Sequence, residues 1–600
     1  MLPHIIKTYW FSFSLLISCS LLIFYFVETY QYAFNHHILF NENYKLSFFG
    51  CLFSALYILN FLIIKSISIN SIVSITILLC LQVFSFLYPN REYLSILSVI
   101  CVYFFSCLKI HPKLIKYIIK FFFLLFLCNT IICFYSLCIY GTLVGIFNNQ
   151  GIIGVFTAVN LPMLFFFLLD QQKKAQYDFK NKVWLYGLII ILLITYVVIL
   201  RSESRTALFT SIIILCLYAK KLNNKEKRVP NVVKLVIALM LVFFIYYIFN
   251  LFIAKEASLS GRVIMIRIAI IHVFDSFWWG TGLGRFNWFY PQWQASYFEN
   301  LPPNSNPPLV RNVGETYIIF NEFLQIFLSI GLIGTIVFIA LFVIVFRLKS
   351  SRFVSLFYTL KCTILGVMVS GITSYTLHVN LLLLILVAYI SILLMLNERK
   401  FVMLTLTQKR GNFNSFNIIF CVSSLSVVLF LSSQFWFKMS AVSEWHEIRE
   451  QHIEFERKEY SYCKIYPFLK NDGKFLTDYG IYLLENMSTT VEPKKLDLTI
   501  KTLESARGYF LSKDVVLYLG YANWAKGNLK DAISNFEWVG NFLPYLFEPK
   551  IALMKLYLET GDIMKARNLG EWIIQTEPKV PSEEVEMIKN EADFLMKHKL

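Results

Sequence analysis

Apolar runs of about 17 to 25 residues recur through the first 435 positions of this chain, and a helix needs that length to cross the hydrocarbon core of a bilayer. Backbone in lipid must satisfy its own polar groups, so repeated runs of this kind specify helices. The expected fold is all-α: a polytopic membrane protein of about 13 transmembrane helices. They fall near 8–26, 46–64, 70–88, 93–110, 118–141, 151–169, 183–200, 206–219, 231–253, 322–346, 354–376, 379–396 and 414–433. The first run has Lys7 before it and no small-residue cleavage site after it, so it reads as a retained span.

Lysine and arginine collect in KIHPKLIK, QQKKAQYDFKNK, KKLNNKEKR, RLKSSR and the stretch from NERK to TQKR, all on one side of a thirteen-span chain. The alternate connections, such as YPNREY, GTLVGIFNNQ and TLHV, are poor in positive charge. The positive-inside bias puts the N-terminus in the cytoplasm and the C-terminal region outside. Cytoplasmic loops facing anionic lipid account for most of the net charge of +17, which therefore gives no argument for nucleic acid. The 12 cysteines lie mostly in apolar runs with no CxxC, so no disulfide or metal framework is readable.

RSESR, residues 201–205, falls on the outer side, where the bias does not call for basic residues. Arg201 and Arg205 have one explanation as snorkelling span-end residues paired with Glu203. The other is an anion site, because Arg205 opens a helix whose first-turn amides also favour negative charge. The long outer connection, about 254–321, adds to the second reading. Its SLSGRVIMIRIAIIHVF has the pattern of a short amphipathic helix capped by Ser258 or Ser260, with Arg262 in the first turn. In WWGTGLGRF, Gly280, Gly282 and Gly284 permit tight turning and close approach to a ligand, without the strand and GxGxxG spacing of a dinucleotide fold. PPNSNPP is a loop by composition. RNVGETYIIFNEFLQ then brings Arg311, Glu315, Asn321, Glu322 and Gln325 to the mouth of the tenth span, more polar groups than anchoring requires.

SESRTALFTSI, SGRVIMIRIAIIHVFDSFWWGTGLGRF and FNEFLQIFLSIGLIG, in that order, resemble the O-antigen ligase family, which includes related polysaccharide polymerases and bacterial protein O-oligosaccharyltransferases. GIFNNQGIIGVFTAVNLP at 146–162 resembles that family's upstream outer loop, and the likeness covers most of residues 90–400. The resemblance implies transfer of a glycan from an undecaprenyl-diphosphate carrier on the outer face of the bacterial inner membrane, in lipopolysaccharide or polysaccharide biosynthesis, with no metal, cofactor or nucleotide sugar. The acceptor would be a glycolipid, a glycan or a protein. By position, Arg205 resembles the arginine of the family's SR motif and Arg262 that of its SGR motif, both assigned to the donor diphosphate. Many members carry a histidine, proposed to activate the acceptor hydroxyl, where this chain has Phe320 before Asn321.

The chemistry makes its own demands. A departing diphosphate needs fixed guanidinium groups as charge develops on it, and an acceptor hydroxyl needs a carboxylate or histidine for its proton. Glu315 and Glu322 are the catalytic candidates, each with a plainer role as a partner of Arg311 or a helix-entry residue. Arg205, Arg262, Arg311, Arg201 and Asn321 are the substrate-binding candidates. His378, before the twelfth span, is a substitute base if the fold brings it near. His272 reads as an interface residue, and His36 and His37 have no further metal ligands at suitable spacing. The competing class is a non-enzymatic channel or transporter of lipid-linked glycan, which spans so poor in buried charge do not favour.

From 440 to 600 the chain is charged and amphipathic, as expected of a soluble, periplasmic helical domain following the membrane domain of 1–435. Gly527 and Gly561, Ala532 and Ala566, and Pro544 and Pro578 repeat at an offset of 34, which resembles tetratricopeptide repeats. KNDGKFLTDYGIYLLEN, with Gly480, is a candidate for another unit out of phase. Such a stack suits binding a periplasmic protein, or covering the outer loop of its own chain.

Overall fold

The computed structural model describes residues 42–64, 69–87, 112–147, 149–175, 179–223, 256–300, 310–397, 415–450, 455–486 and 493–599, with single positions between. The expected spans at 8–26, 93–110 and 231–253, His36, His37 and the PPNSNPP loop lie outside them, apart from those single positions. Every regular element among the described residues is helical. In the membrane part these are α1 (Glu42–Ile64), α2 (Ile69–Leu87), α3 (Pro112–Tyr140), α4 (Gln150–Ala175), α5 (Phe179–Arg201), α6 (Arg205–Asn223), α9 (Glu322–Arg347), α10 (Val354–Gly371), α11 (Asn380–Leu396) and α12 (Ser415–Glu450). Six of them, α3, α4, α5, α9, α10 and α12, are long and apolar enough to cross a membrane, and α1, α2 and α11 contain shorter apolar stretches.

One core gathers around α4, which packs on α5, α6 and α10 and is 83% buried over its apolar window. Such a helix is enclosed by protein on nearly all sides, so its polar residues must find partners. Thr157 and Asn160 donate to carbonyls one turn back, at 2.7 and 2.8 Å. A second core joins α1, α2 and α12 to the first helices beyond the membrane part. α12 runs unbroken from Ser415 to Glu450, so the boundary expected at 435–440 falls inside one helix.

Between α6 and α9 stand α7 (Glu256–Ile271), a 3₁₀ turn (His272–Phe274) and α8 (Phe286–Glu299). The expected cap at Ser258 or Ser260 is a correction. Helix α7 already includes Glu256, because Glu256 and Ala257 are compatible with a first helical turn and extend it back past the serines. Arg262 consequently sits one turn further in, and Ser260 Oγ accepts a hydrogen bond from Asn312 Nδ2 at 2.9 Å.

The glycine turn also differs from expectation. Gly280, Gly282 and Gly284 all have positive φ, as read, but the close approach made by Gly280 is to α9. Helix α9 is interrupted at Gly331 (φ 65°, ψ −171°), and the interruption is filled by the loop. Thr281 N donates to Leu328 O at 2.7 Å, Gly282 N to Ser329 O at 3.0 Å and Leu332 N to Phe277 O at 2.8 Å. A broken helix in a membrane survives only where other groups satisfy the freed ones, here a second backbone and the Thr335 hydroxyl, which donates to Gly331 O at 2.7 Å. Phe274, Trp278 and Trp279 leave their rings exposed beside this contact, as residues at a bilayer interface do.

Beyond the membrane part follow α13 (Phe455–Leu469), α14 (Gly473–Glu485), α15 (Pro493–Tyr509), α16 (Lys513–Lys526), α17 (Leu529–Phe542), α18 (Glu548–Thr560), α19 (Ile563–Gln575) and α20 (Glu583–Lys599). Gly527 and Gly561 end α16 and α18 with nearly the same left-handed geometry, φ/ψ 82°/8° and 80°/11°. Ala532 and Ala566 are fully buried in the helices that follow. Gly480 and Gly520 each leave room for a side chain of a neighbouring helix, Leu503 and Phe536 respectively.

Gly280→Ala places a Cβ 2.5 Å from Ser329 C and 2.6 Å from Gly331 N, at a positive φ. It should cost at least about 1–3 kcal/mol from backbone strain alone. Gly314→Ala, with nothing within 4 Å of its Cβ, should leave thermal stability in detergent unchanged. Equal melting temperatures for the two variants would contradict the loop-to-helix contact.

Candidate functional site

The first element of the site is the start of α4. Asn149 Oδ1 accepts from Gly151 N at 2.8 Å, while its carbonyl accepts from Ile152 N and Ile153 N. This fixes the side-chain amide, so Nδ2 is the atom that donates to Tyr375 Oη at 2.9 Å. The second element is the turn between α5 and α6. Glu203 takes a left-handed backbone (φ 48°), uncommon for a residue with a side chain. Ser204 then caps α6, accepting from Ala207 N at 3.2 Å through Oγ and from Leu208 N at 3.1 Å through its carbonyl. The turn lies directly on α4, since a side chain on Gly154 would overlap Ser202.

Arg262 reaches this turn from α7. Its guanidinium lies 4.1 Å over the Phe320 ring, and Nη1 donates to Thr373 O at 3.4 Å. Phe320 in turn meets Tyr375 edge-on at 5.4 Å, and the Thr373 hydroxyl bonds to that of Thr206 at 2.8 Å. A cavity of about 310 Å³ results, lined by Asn149, Ser204, Arg205, Arg262, Phe320 and Tyr375 among others. Two helix N-termini and two arginines converge on it against one carboxylate, Glu203, a balance that favours an anion. Burial, and then the nearby Arg205, push the Arg262 pKa down. A guanidinium so placed stays charged and gains from an anion beside it.

A second cavity, of about 470 Å³, opens on the other side of the same two residues. It is lined by Arg262 and Phe320 with Tyr290, Gln294, Asn312, Glu315 and Lys579 among others. Arg262 and Phe320 are the residues common to both cavities.

The fold brings together Arg205, Arg262 and, across the shared wall, Glu315. Arg201 ends α5 with an exposed side chain and does not line the first cavity. Arg311 turns to the C-terminal helices, donating to Pro578 O at 2.9 Å, with Glu577 at 3.6 Å. Glu315 is therefore not held by Arg311. It accepts through Oε1 from the Tyr317 hydroxyl and from Lys513 N, the latter at 3.0 Å. Asn321 caps α9, taking a bond from Leu324 N at 3.0 Å. Gln325 is buried and accepts from Ile319 N at 2.9 Å. Glu322 is buried and accepts through Oε1 from Leu377 N at 2.6 Å and His378 Nδ1 at 3.0 Å. His378 thus meets Glu322 and lines neither cavity, and burial pushes its imidazole pKa down to about 4. His272 stacks on Trp293 and bonds Asp275. No group of three His, Cys, Asp or Glu is placed to hold a metal among the described residues.

Residues 188–339 match the family model described as O-Antigen ligase. Over those residues the chain is similar to the O-antigen ligase family. That family is one of membrane enzymes acting in glycan transfer. The matched segment contains Arg205, Arg262, Phe320 and Glu322, whereas Asn149, Tyr375 and Lys579 lie outside it. Comparison with curated proteins gives no match. Asn149 was open to detection as a capping residue before an apolar run. Tyr375 and Lys579 carry no local sequence signal, since only the fold brings them to the site.

Inorganic pyrophosphate should raise the melting temperature of the detergent-purified protein. At a hundredfold excess over its dissociation constant the gain is about 2.7 kcal/mol, largely lost in Arg262→Ala and Arg205→Ala. An equal response in wild type and both variants would count against an anion site here.

Proposed function

We propose that this protein transfers a glycan from an undecaprenyl-diphosphate carrier to an acceptor on the outer face of the bacterial inner membrane, as a metal-independent transferase of the O-antigen ligase type. The observation that carries this reading is the first cavity, where Arg205, Arg262 and the N-termini of α4 and α6 converge in a membrane domain of that family. A diphosphate fits this chemistry, because guanidinium groups offer several directed donors each. Since Asn149 donates to the Tyr375 oxygen, the phenolic proton is left for another acceptor, and a diphosphate oxygen is the natural one.

In the proposed step the acceptor oxygen attacks the anomeric carbon of the donor sugar. The bond from that carbon to the diphosphate oxygen breaks, and its electron pair leaves with undecaprenyl diphosphate. The hydroxyl proton passes to a carboxylate. Glu315 suits this role, because it lines the second cavity with Arg262 and its two hydrogen bonds both go to Oε1, leaving Oε2 to take the proton. Glu322 suits a positioning role: its bonds to Leu377 and His378 brace the segment that carries Thr373 and Tyr375. Asn321 sets the start of α9 next to Phe320, and Arg201 and Arg311 are not assigned to the donor.

The test is transfer from purified undecaprenyl-diphosphate oligosaccharide, offered in parallel lipid A core, a second glycan-lipid and envelope protein. Product with one acceptor, reduced about 10²-fold or more in Arg262→Ala, is expected. Arg262→Lys should recover part of it, having lost the bidentate geometry. No product with any acceptor, from protein that still binds donor through Arg262, would overturn the transferase reading. Separately, Tyr375→Phe should lower turnover about tenfold, the loss of one hydrogen bond to a developing charge. Glu315→Gln should lower turnover with donor binding kept, and unchanged turnover would remove Glu315 as the base.

A further inference from the structure

The C-terminal helices reach the second cavity. Lys579, between α19 and α20, lines it together with Arg262 and Glu315, although it stands far from both in sequence. The segment that carries it is clasped from the outer loop, by Arg311 on the Pro578 carbonyl at 2.9 Å and beside Glu577. Two other residues of the cavity wall are held from the same domain. Gln294, 1% exposed, donates to the Phe542 carbonyl at 2.7 Å, and Glu315 accepts from Lys513 N at 3.0 Å. The Tyr317 and Phe510 rings meet 5.2 Å apart, and Trp288 of α8 packs into the core of α16–α20. Hydrogen bonds to backbone groups, one of them fully buried, are not features of a loosely tethered scaffold. They make the cavity a joint product of loop and domain.

We propose that the second cavity is the acceptor site, that the C-terminal helical domain supplies one of its walls, and that it selects a sugar carrying an anionic substituent, held by Lys579. The proposal rests on the transferase reading above. Its geometry is that of a site adjoining the donor: Arg262 and Phe320 line both cavities, so a hydroxyl in the second stands next to a diphosphate in the first. Its chemistry is that of a sugar site, with the Tyr290 and Phe320 rings beside the amides of Gln294 and Asn312. With Arg262 committed to the diphosphate, the charges left in the lining are Lys579 and Glu315. Glu315 is engaged by the Tyr317 hydroxyl and Lys513 N, while Lys579 pairs with no carboxylate among the described residues, which leaves its ammonium for the ligand to answer. A volume of about 470 Å³ lies within the range of small-ligand sites.

The experiment uses the full-length protein and core oligosaccharide, with its phosphates and after their enzymatic removal, as binding probes and as soluble acceptors. Lys579 is exposed, so its substitution should not disturb folding. Lys579→Glu should weaken binding of the phosphorylated oligosaccharide, and raise its KM, about tenfold or more, with kcat and donor KM within about twofold of wild type. Removing the phosphates should weaken binding to wild type but not to Lys579→Ala, the non-additivity expected of groups in contact. Lys565→Ala, elsewhere on the domain, is the control and should bind as wild type does. No binding of the phosphorylated oligosaccharide, or binding indifferent to Lys579, would overturn the proposal. Failure of the transferase reading would look different: oligosaccharide bound through Lys579, but no product.

Discussion

The segment between α6 and α9 depends on a contact between two backbones. Gly280 and Gly331 both take left-handed conformations, and a side chain on either would collide with the other segment. The hydrogen bonds that α9 forfeits at Gly331 are replaced by bonds to residues 277–282. The loop is thereby built into the membrane domain. Helices α7 and α8 pack over the start of α9 through Ile264, Met265, Ile268, Tyr290 and Leu328. The position of Arg262 follows from that packing, so the guanidinium is set over Phe320 by a scaffold with little freedom to relax.

The charge beside that segment then has an explanation. Arg205 is the first residue of a helix and Arg262 lies inside another, yet both line one cavity rimmed by amide-bearing helix ends. Two cations, Arg205 and Arg262, face one carboxylate, Glu203, in the cavity wall. Such a site suits an anionic headgroup arriving from the bilayer better than a permanently paired ion network would.

Much of the fold was legible from length and hydropathy. The helices at 42–64, 112–140, 179–201 and 322–347 lie within a few residues of the expected runs, because span length is dictated by bilayer thickness. Arg205 and Arg262 were legible as charges out of place. What was not legible came from tertiary contact. The glycines of WWGTGLGRF signalled a close approach but not its partner, Arg311 turned from Glu315 to a carbonyl of the C-terminal domain, and His378 met Glu322 across more than fifty residues. Phe320 read as an absence, the lack of a histidine. In the fold it is an aromatic floor for Arg262 and a wall shared by two cavities.

Helix α12 carries a mechanical consequence. Its 36 residues run from the membrane part into the helical domain without a break, a rod of about 54 Å. A flexible tether would tolerate insertions, but a continuous helix converts each added residue into about 100° of rotation and 1.5 Å of rise. The azimuth of the C-terminal domain is therefore geared to the bundle, as a key is to its shaft, and α8 meets the domain already turned to face it.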